Sequence, residues 1–254
     1  MTEARYLYCI ANGSEQITFG NIGIENNEVY TIPYKDLCAV VHNCPPEPYE
    51  SEDKEKIKSW IVAHEKVVET AWTRFGTVLP LGFDTIIKSD QDRNAEDNIK
   101  KWIKDDYENL KQKLDKLRDK AEFGVQVFWN PKIMGKRLTE TNEEIAKLSQ
   151  DIKSKSRGLA YMYKQKLENL LKKQMEVESE RYFKDFYEQI KRWVDEIKVE
   201  KTKKSDEGKQ MLMNLSCLLS KEKSKILGEE LEKINNREGL FVRFTGPWPP
   251  YSFA

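Results

Sequence analysis

The sequence predicts an α+β fold in two domains, on three observations. Short β-branched and aromatic runs are punctuated by Pro, Asn and Gly; long segments carry apolar residues at three- and four-residue spacing; and no proline occurs from Lys132 to Gly246. At 254 residues the chain has room for two ordinary domains, each with its own core.

Arg5–Ala11 (RYLYCIA), bounded by Asn12-Gly13, reads as the first strand. Val29–Ile32 and Leu37–Asn43 are further strands, with Asn26-Asn27 and Pro33 as punctuation, and Cys44-Pro45-Pro46-Glu47-Pro48 stops extended pairing. Ser51–Arg74 opens with Ser-Glu-Asp and sets Ile57, Trp60, Ile61, His64, Val67, Val68, Ala71 and Trp72 at helical spacing. Val78–Phe83, which contains Pro80, suits an edge strand or a strand end. Asp92–Arg118 is a second helix with Ile99, Ile103, Tyr107, Leu110, Leu114 and Leu117 on one stripe, followed by the strand Glu122–Trp129. This order fits a sheet of the ferredoxin-like split βαβ plan with both helices on one sheet face, and residues 1–132 form the first domain.

Residues 133–254 form the second, an α+β domain of long helices packed on a small antiparallel sheet. Most of Leu138–Ile197 is helical, broken near Ser154–Gly158, with an apolar stripe from Leu167 and Leu170 through Phe186 and Ile190. Strand and helix compete at Trp193–Thr202. Met211–Leu219 is a buried strand, Lys221–Ile234 a helix and Gly239–Phe244 a last strand.

Charge and hydropathy exclude several functions. Residues 1–132 hold 18 Lys+Arg against 23 Asp+Glu (net −5) and residues 133–254 hold 25 against 20 (net +5), so no basic face marks the chain for nucleic acid. The longest apolar run, Met211–Leu219, is far short of the roughly 20 residues that span a bilayer. The N-terminus lacks a secretory pattern, so a cytoplasmic protein is expected, without membrane association.

Catalytic chemistry finds few carriers. Cys9, Cys38, Cys44 and Cys217 form no CxxC pair and read as reduced, buried, small hydrophobes rather than, with His42, a zinc set. His42 and His64 are the only histidines; His64-Glu65 has no second histidine four residues on. Neither Gly20–Gly23 nor Gly76–Gly82 matches a phosphate loop, there is no GxSxG elbow, and adjacent carboxylates such as Asp105-Asp106 diverge around a helix. The expectation is a non-enzyme with no catalytic residue, cofactor, metal or small-molecule substrate. An enzyme hidden in a cleft between domains is a third reading without a catalytic set.

The ending TGPWPPYSFA differs in kind from the rest. Three prolines stiffen it and Trp, Tyr and Phe supply apolar area, so it reads as a strap that closes its own domain, with a partner-binding patch as the alternative. If Trp248 is buried there, its truncation costs roughly 3–5 kcal/mol.

This ending resembles the C-terminal hallmark of the GvpL/GvpF gas vesicle protein family in sequence and position. Other segments are similar to the family in order along nearly the whole chain: Tyr6–Ile10 and Leu37–Val41 as strands, His64–Glu69 as the HExVLE helix segment, Thr77–Ile87 as the TVLPLRFGTVF segment, Glu122–Trp129 as the EhxVkVxW strand, and Gly158–Tyr161 as the GxAYL helix start. Gly82 stands where the family usually has Arg, Asp84 where it has Gly, and Cys9 where it often has Gly. Any role of that arginine does not transfer.

The residues singled out as structural or partner-contact positions are Thr245, Gly246, Pro247, Trp248, Pro249, Pro250, Tyr251, Phe253, Leu79, Pro80, His64 and Glu65. The resemblance implies a modified ferredoxin-like first domain and a non-catalytic accessory role in gas vesicle assembly. It also implies two kinds of partner, the small hydrophobic shell protein and other accessory proteins. Binding of the shell protein by residues 1–132 is one expectation; a scaffold acting through the helices of residues 138–197 is the other. Whether the chain is F-like or L-like stays open.

Overall fold

The structure, a computed structural model, describes residues 3–203 and 208–254. The chain packs as two compact units, Met1–Glu122 with Pro247–Ala254, and Phe123–Gly246. Relative to the expected division at residue 132, the strand near Trp129 is counted with the second unit and the C-terminal tail with the first. The reason lies in the pairing: that strand enters the second sheet, while the tail bonds back to Glu122.

In the first unit, β1 (Ala4–Asn12) pairs with β4 (Leu37–Cys44), and β3 (Val29–Tyr34) joins β4 to the short β2 (Thr18–Gly20). On its other side β1 pairs with β5 (Val78–Pro80) and β6 (Ile86–Lys88). All these pairs are antiparallel. Pro33 lies inside β3, opposite Cys38. The Thr31 N–H points to Ile17 on the β2 side, so the nitrogen of Pro33 faces the same side beyond the end of β2, where a missing donor interrupts no ladder.

Three helices cover this sheet: α1 (Lys54–Phe75), α2 (Ala95–Asp105) and α3 (Tyr107–Leu117). Asp53 caps α1, its carboxylate accepting the N–H groups of Glu55 and Lys56. The expected second helix is broken at Asp106, which leaves the helical region at φ −110°, ψ 16°. A second correction concerns the faces. Trp60, Val67, Val68 and Ala71 of α1 share a core with Tyr6, Tyr8 and Val40, whereas α2 and α3 pack on β1, β3, β5 and β6. The helices therefore flank both faces rather than one. β1 shows why: every residue from Ala4 to Ala11 is buried, as a continuous apolar run demands when neither face meets water.

The second unit holds a four-stranded sheet in the order β10 (Leu240–Trp248), β7 (Lys120–Trp129), β9 (Gln210–Ser220) and β8 (Glu196–Val199). Gly124 lets the two long strands close, since a Cβ there would meet the Thr245 hydroxyl at 2.7 Å. The helical stretch is three helices: α4 (Pro131–Thr141), α5 (Glu143–Ser154) and α6 (Arg157–Lys191). Asn130 caps α4 and Asn142 caps α5, so the chain restarts at an asparagine that the apolar periodicity alone does not reveal. α7 (Lys221–Asn235) packs on β9 and α6. The competition at Trp193–Thr202 resolves into a strand at Glu196–Val199, paired antiparallel with β9. Among the described residues no helix is long and apolar enough to cross a membrane.

Candidate functional site

Two tyrosines of β1 point the same way into the α1 face of the first unit. Strand alternation puts Tyr8 beside Tyr6, with ring centroids 4.9 Å apart, and a bulge between Leu7 and Cys9 adds Cys9 and Ala11 to the same core. Each tyrosine oxygen accepts a backbone N–H, from Asp84 for Tyr6 at 2.9 Å and from Ile24 for Tyr8 at 3.0 Å. Each phenol proton is thereby free for a histidine Nδ1, that of His64 at 2.9 Å and that of His42 at 2.8 Å. His42 Nε2 lies 2.9 Å from the Tyr49 hydroxyl. Burial holds both imidazoles neutral: the pKa of His42 falls to about 4, and that of His64 to about 4 against an opposing hydrogen bond to the Leu81 backbone. Of the two neutral histidines, His64 ties α1 to β1 through Tyr6, and His42 of β4 joins Tyr8 of β1 to Tyr49. Among the described residues no group of three or more His, Cys, Asp or Glu side chains is placed to hold a metal ion.

Asp84 anchors the loop that meets this network. It has a positive φ of 67°, and its Oδ1 accepts the Tyr49 N–H at 3.0 Å. This explains how an aspartate stands where the family pattern usually has glycine: Asp is among the few residues that tolerate the left-handed region, and here its side chain gains a bond there.

The C-terminal strap lies in the same unit. The glycine freedom it needs is at Gly246, with φ 119°. Pro249 and Pro250 are buried, and Phe253, 6% exposed, ends a 3-10 turn at Tyr251–Phe253. Ser252 binds the Glu122 carboxylate twice, its N–H at 2.7 Å and its hydroxyl at 2.6 Å. Tyr251 is 39% exposed. Burial is nonetheless the main cause that raises its pKa, with Glu65, Cys9, Glu69 and Glu122 adding to it, so the phenol end is turned inward toward α1 and β1. Trp248 is 51% exposed. The expectation of a buried Trp248 is corrected: consecutive prolines turn the chain immediately after it, and the anchoring falls to Pro249, Pro250 and Phe253.

The positions singled out in the sequence thus converge in part. Pro80 and Leu79 of β5 sit in register with Cys9 and Ile10; Cys9 and Glu65 both influence Tyr251; and His64, one residue from Glu65, faces inward to Tyr6. Thr245 and Gly246 belong to the second unit. Sequence reasoning missed Glu122, Ser252 and Glu69. It also missed the Tyr6–His64 and Tyr8–His42 pairs, for which two tyrosines at strand spacing and two histidines in apolar surroundings were the available signal.

The model of the family described as gas vesicle synthesis protein GvpL/GvpF matches residues 4–254. Gas vesicle protein L1 of Halobacterium salinarum is 28% identical over 266 residues, covering 100% of this chain and 91% of its own length. Gas vesicle protein F of Dolichospermum flosaquae is 22% identical, covering 98% and 96%. The crystal structure of GvpF from Anabaena sp. PCC7120 superposes with a TM-score of 0.78 at 21% identity, covering 99% of this chain and 98% of that one. GvpF from Microcystis aeruginosa does so with a TM-score of 0.67 at 20% identity, covering 98% of each. The structures establish a shared fold, and the match over residues 4–254 shows that this chain belongs to the GvpL/GvpF family of gas vesicle synthesis proteins.

Proposed function

We propose that this chain is a non-catalytic accessory protein of gas vesicle assembly. In this reading it binds the small hydrophobic shell protein through its first unit, keeps that protein from aggregating and supports vesicle nucleation. The observation that carries the reading is the state of the strap: Phe253 and two prolines anchor it while Trp248 stays at the surface. On α1 of the same unit, Ile61 is 38% and Val62 54% exposed. Large apolar side chains displayed from a rigid support suit capture of an apolar element that would otherwise template aggregation. Co-expression of the shell protein with the full chain tests it. The shell protein should stay in the soluble fraction and co-purify, and the Trp248→Glu variant should lose it. Equal recovery with both proteins counts against this surface.

A second reading, a scaffold joining other accessory proteins, is favoured by α6, which exposes Leu159, Tyr161 and Met162 near its start and Val177 farther along. A triple change to serine at Leu159, Tyr161 and Met162 that abolishes binding of accessory proteins while sparing the shell protein would select it.

A further inference from the structure

In the second unit, α4, α6 and the end of β7 border a partly open pocket of about 180 Å³, among whose lining residues Arg137, Thr141 and Arg181 are exposed. Its volume is close to that of an engineered core cavity of about 150 Å³ that takes up benzene, the size of one compact chemical group. Trp129, 1% exposed, and Met134 are buried at its wall, and Leu138 adds further apolar surface. The Trp129 indole N–H is already donated to Gln210 Oε1 at 3.0 Å, so that ring keeps no polar atom for a ligand, and the accessible apolar surface comes mainly from Leu138.

The polar resources are gathered on one side. Arg181 donates to Glu178 at 2.6 Å, with its guanidinium 5.3 Å from the Tyr182 ring centroid. Arg137 is different. Its guanidinium donates to the Tyr182 hydroxyl at 3.3 Å, and among the described residues no carboxylate lies within ion-pair distance of it. The pocket side chains therefore carry two guanidinium groups against one carboxylate. A planar guanidinium fork beside an aromatic and aliphatic wall matches a planar carboxylate attached to an apolar body.

We propose that this pocket binds a carboxylate carrying a compact apolar group, held by Arg137 with its body against Leu138 and the edges of Trp129 and Met134. Two sources share this chemistry, the carboxyl terminus of a protein ending in an apolar residue and a free small acid. The test uses the full-length protein and follows the Trp129 indole N–H by NMR during titration with N-acetyl-leucine, N-acetyl-leucinamide and benzoate. At this size the acids should saturate on the order of millimolar. The amide should bind at least about tenfold more weakly. Arg137→Gln should weaken the acids by about tenfold and Arg137→Lys by less, since Lys keeps the charge but not the fork. Lys136→Gln, which removes a nearby surface cation paired with Glu140, should leave them unchanged. Tighter binding of N-acetyl-leucine points to a chain terminus and tighter binding of benzoate to a free acid. Equal affinity of acid and amide, or no saturation by either acid, overturns the proposal.

Discussion

The Glu122 carboxylate holds Ser252 through both of its oxygens, across 130 residues of sequence. A carboxylate that accepts a backbone N–H and a hydroxyl together fixes a chain end more firmly than either bond alone, because it removes the last rotation of the strap. Glu122→Ala leaves the Ser252 N–H without its acceptor. A loss of about 1–3 kcal/mol is expected, together with faster hydrogen exchange at the Ser252 and Phe253 amides, measurable by NMR. Glu122→Gln, which keeps one acceptor oxygen, should fall between.

Stability should decline in acid through the two buried histidines. Both are shifted from 6.5 to about 4 in the folded protein. Between those values the unfolded chain binds more protons, so stability is complete above pH 6.5 and is lost as pH falls toward 4. The loss reaches at most about 3 kcal/mol per histidine. Urea midpoints measured from pH 7.5 to 4 should show this slope, and His64→Gln should flatten roughly half of it.

The strap separates anchoring from display. Phe253→Ala removes a buried aromatic and should cost about 3–5 kcal/mol. Trp248→Ala, at a half-exposed position, should cost about 1–2 kcal/mol, in proportion to the apolar area removed. Equal losses in thermal unfolding would contradict this division of roles.

At Asp84 the positive φ decides the outcome. Asp84→Val places a β-branched side chain in the left-handed region and gives up the bond to the Tyr49 N–H, at about 2–3 kcal/mol. Asp84→Gly relieves the backbone while losing the same bond, and should change stability by under about 1 kcal/mol. Chemical denaturation of the two variants checks the ordering.

Much of this was legible in the sequence. Strand and helix positions follow from periodicity and Pro/Gly punctuation, and the ending TGPWPPYSFA, with the ordered matches along the chain, pointed to the family. The breaks at Asp106 and Asn142 were not legible, because an apolar stripe can continue across a single non-helical residue. The burial of β1 on both faces was written in RYLYCIA, which has no polar alternation, yet the strand could equally have begun a one-sided sheet. The Glu122–Ser252 clasp could not be read at all. A glutamate in an alternating strand looks like any solvated residue until the fold brings the C-terminus to it.

Trp248, half-exposed on the strap, is the residue proposed to meet the partner. The direct test is the affinity of the full-length Trp248→Ala protein for the gas vesicle shell protein, measured beside its unfolding midpoint. The account predicts at least about a tenfold loss of affinity with the fold retained and only a small fall in stability. Unchanged affinity, or a loss that appears only where the protein unfolds, would contradict it.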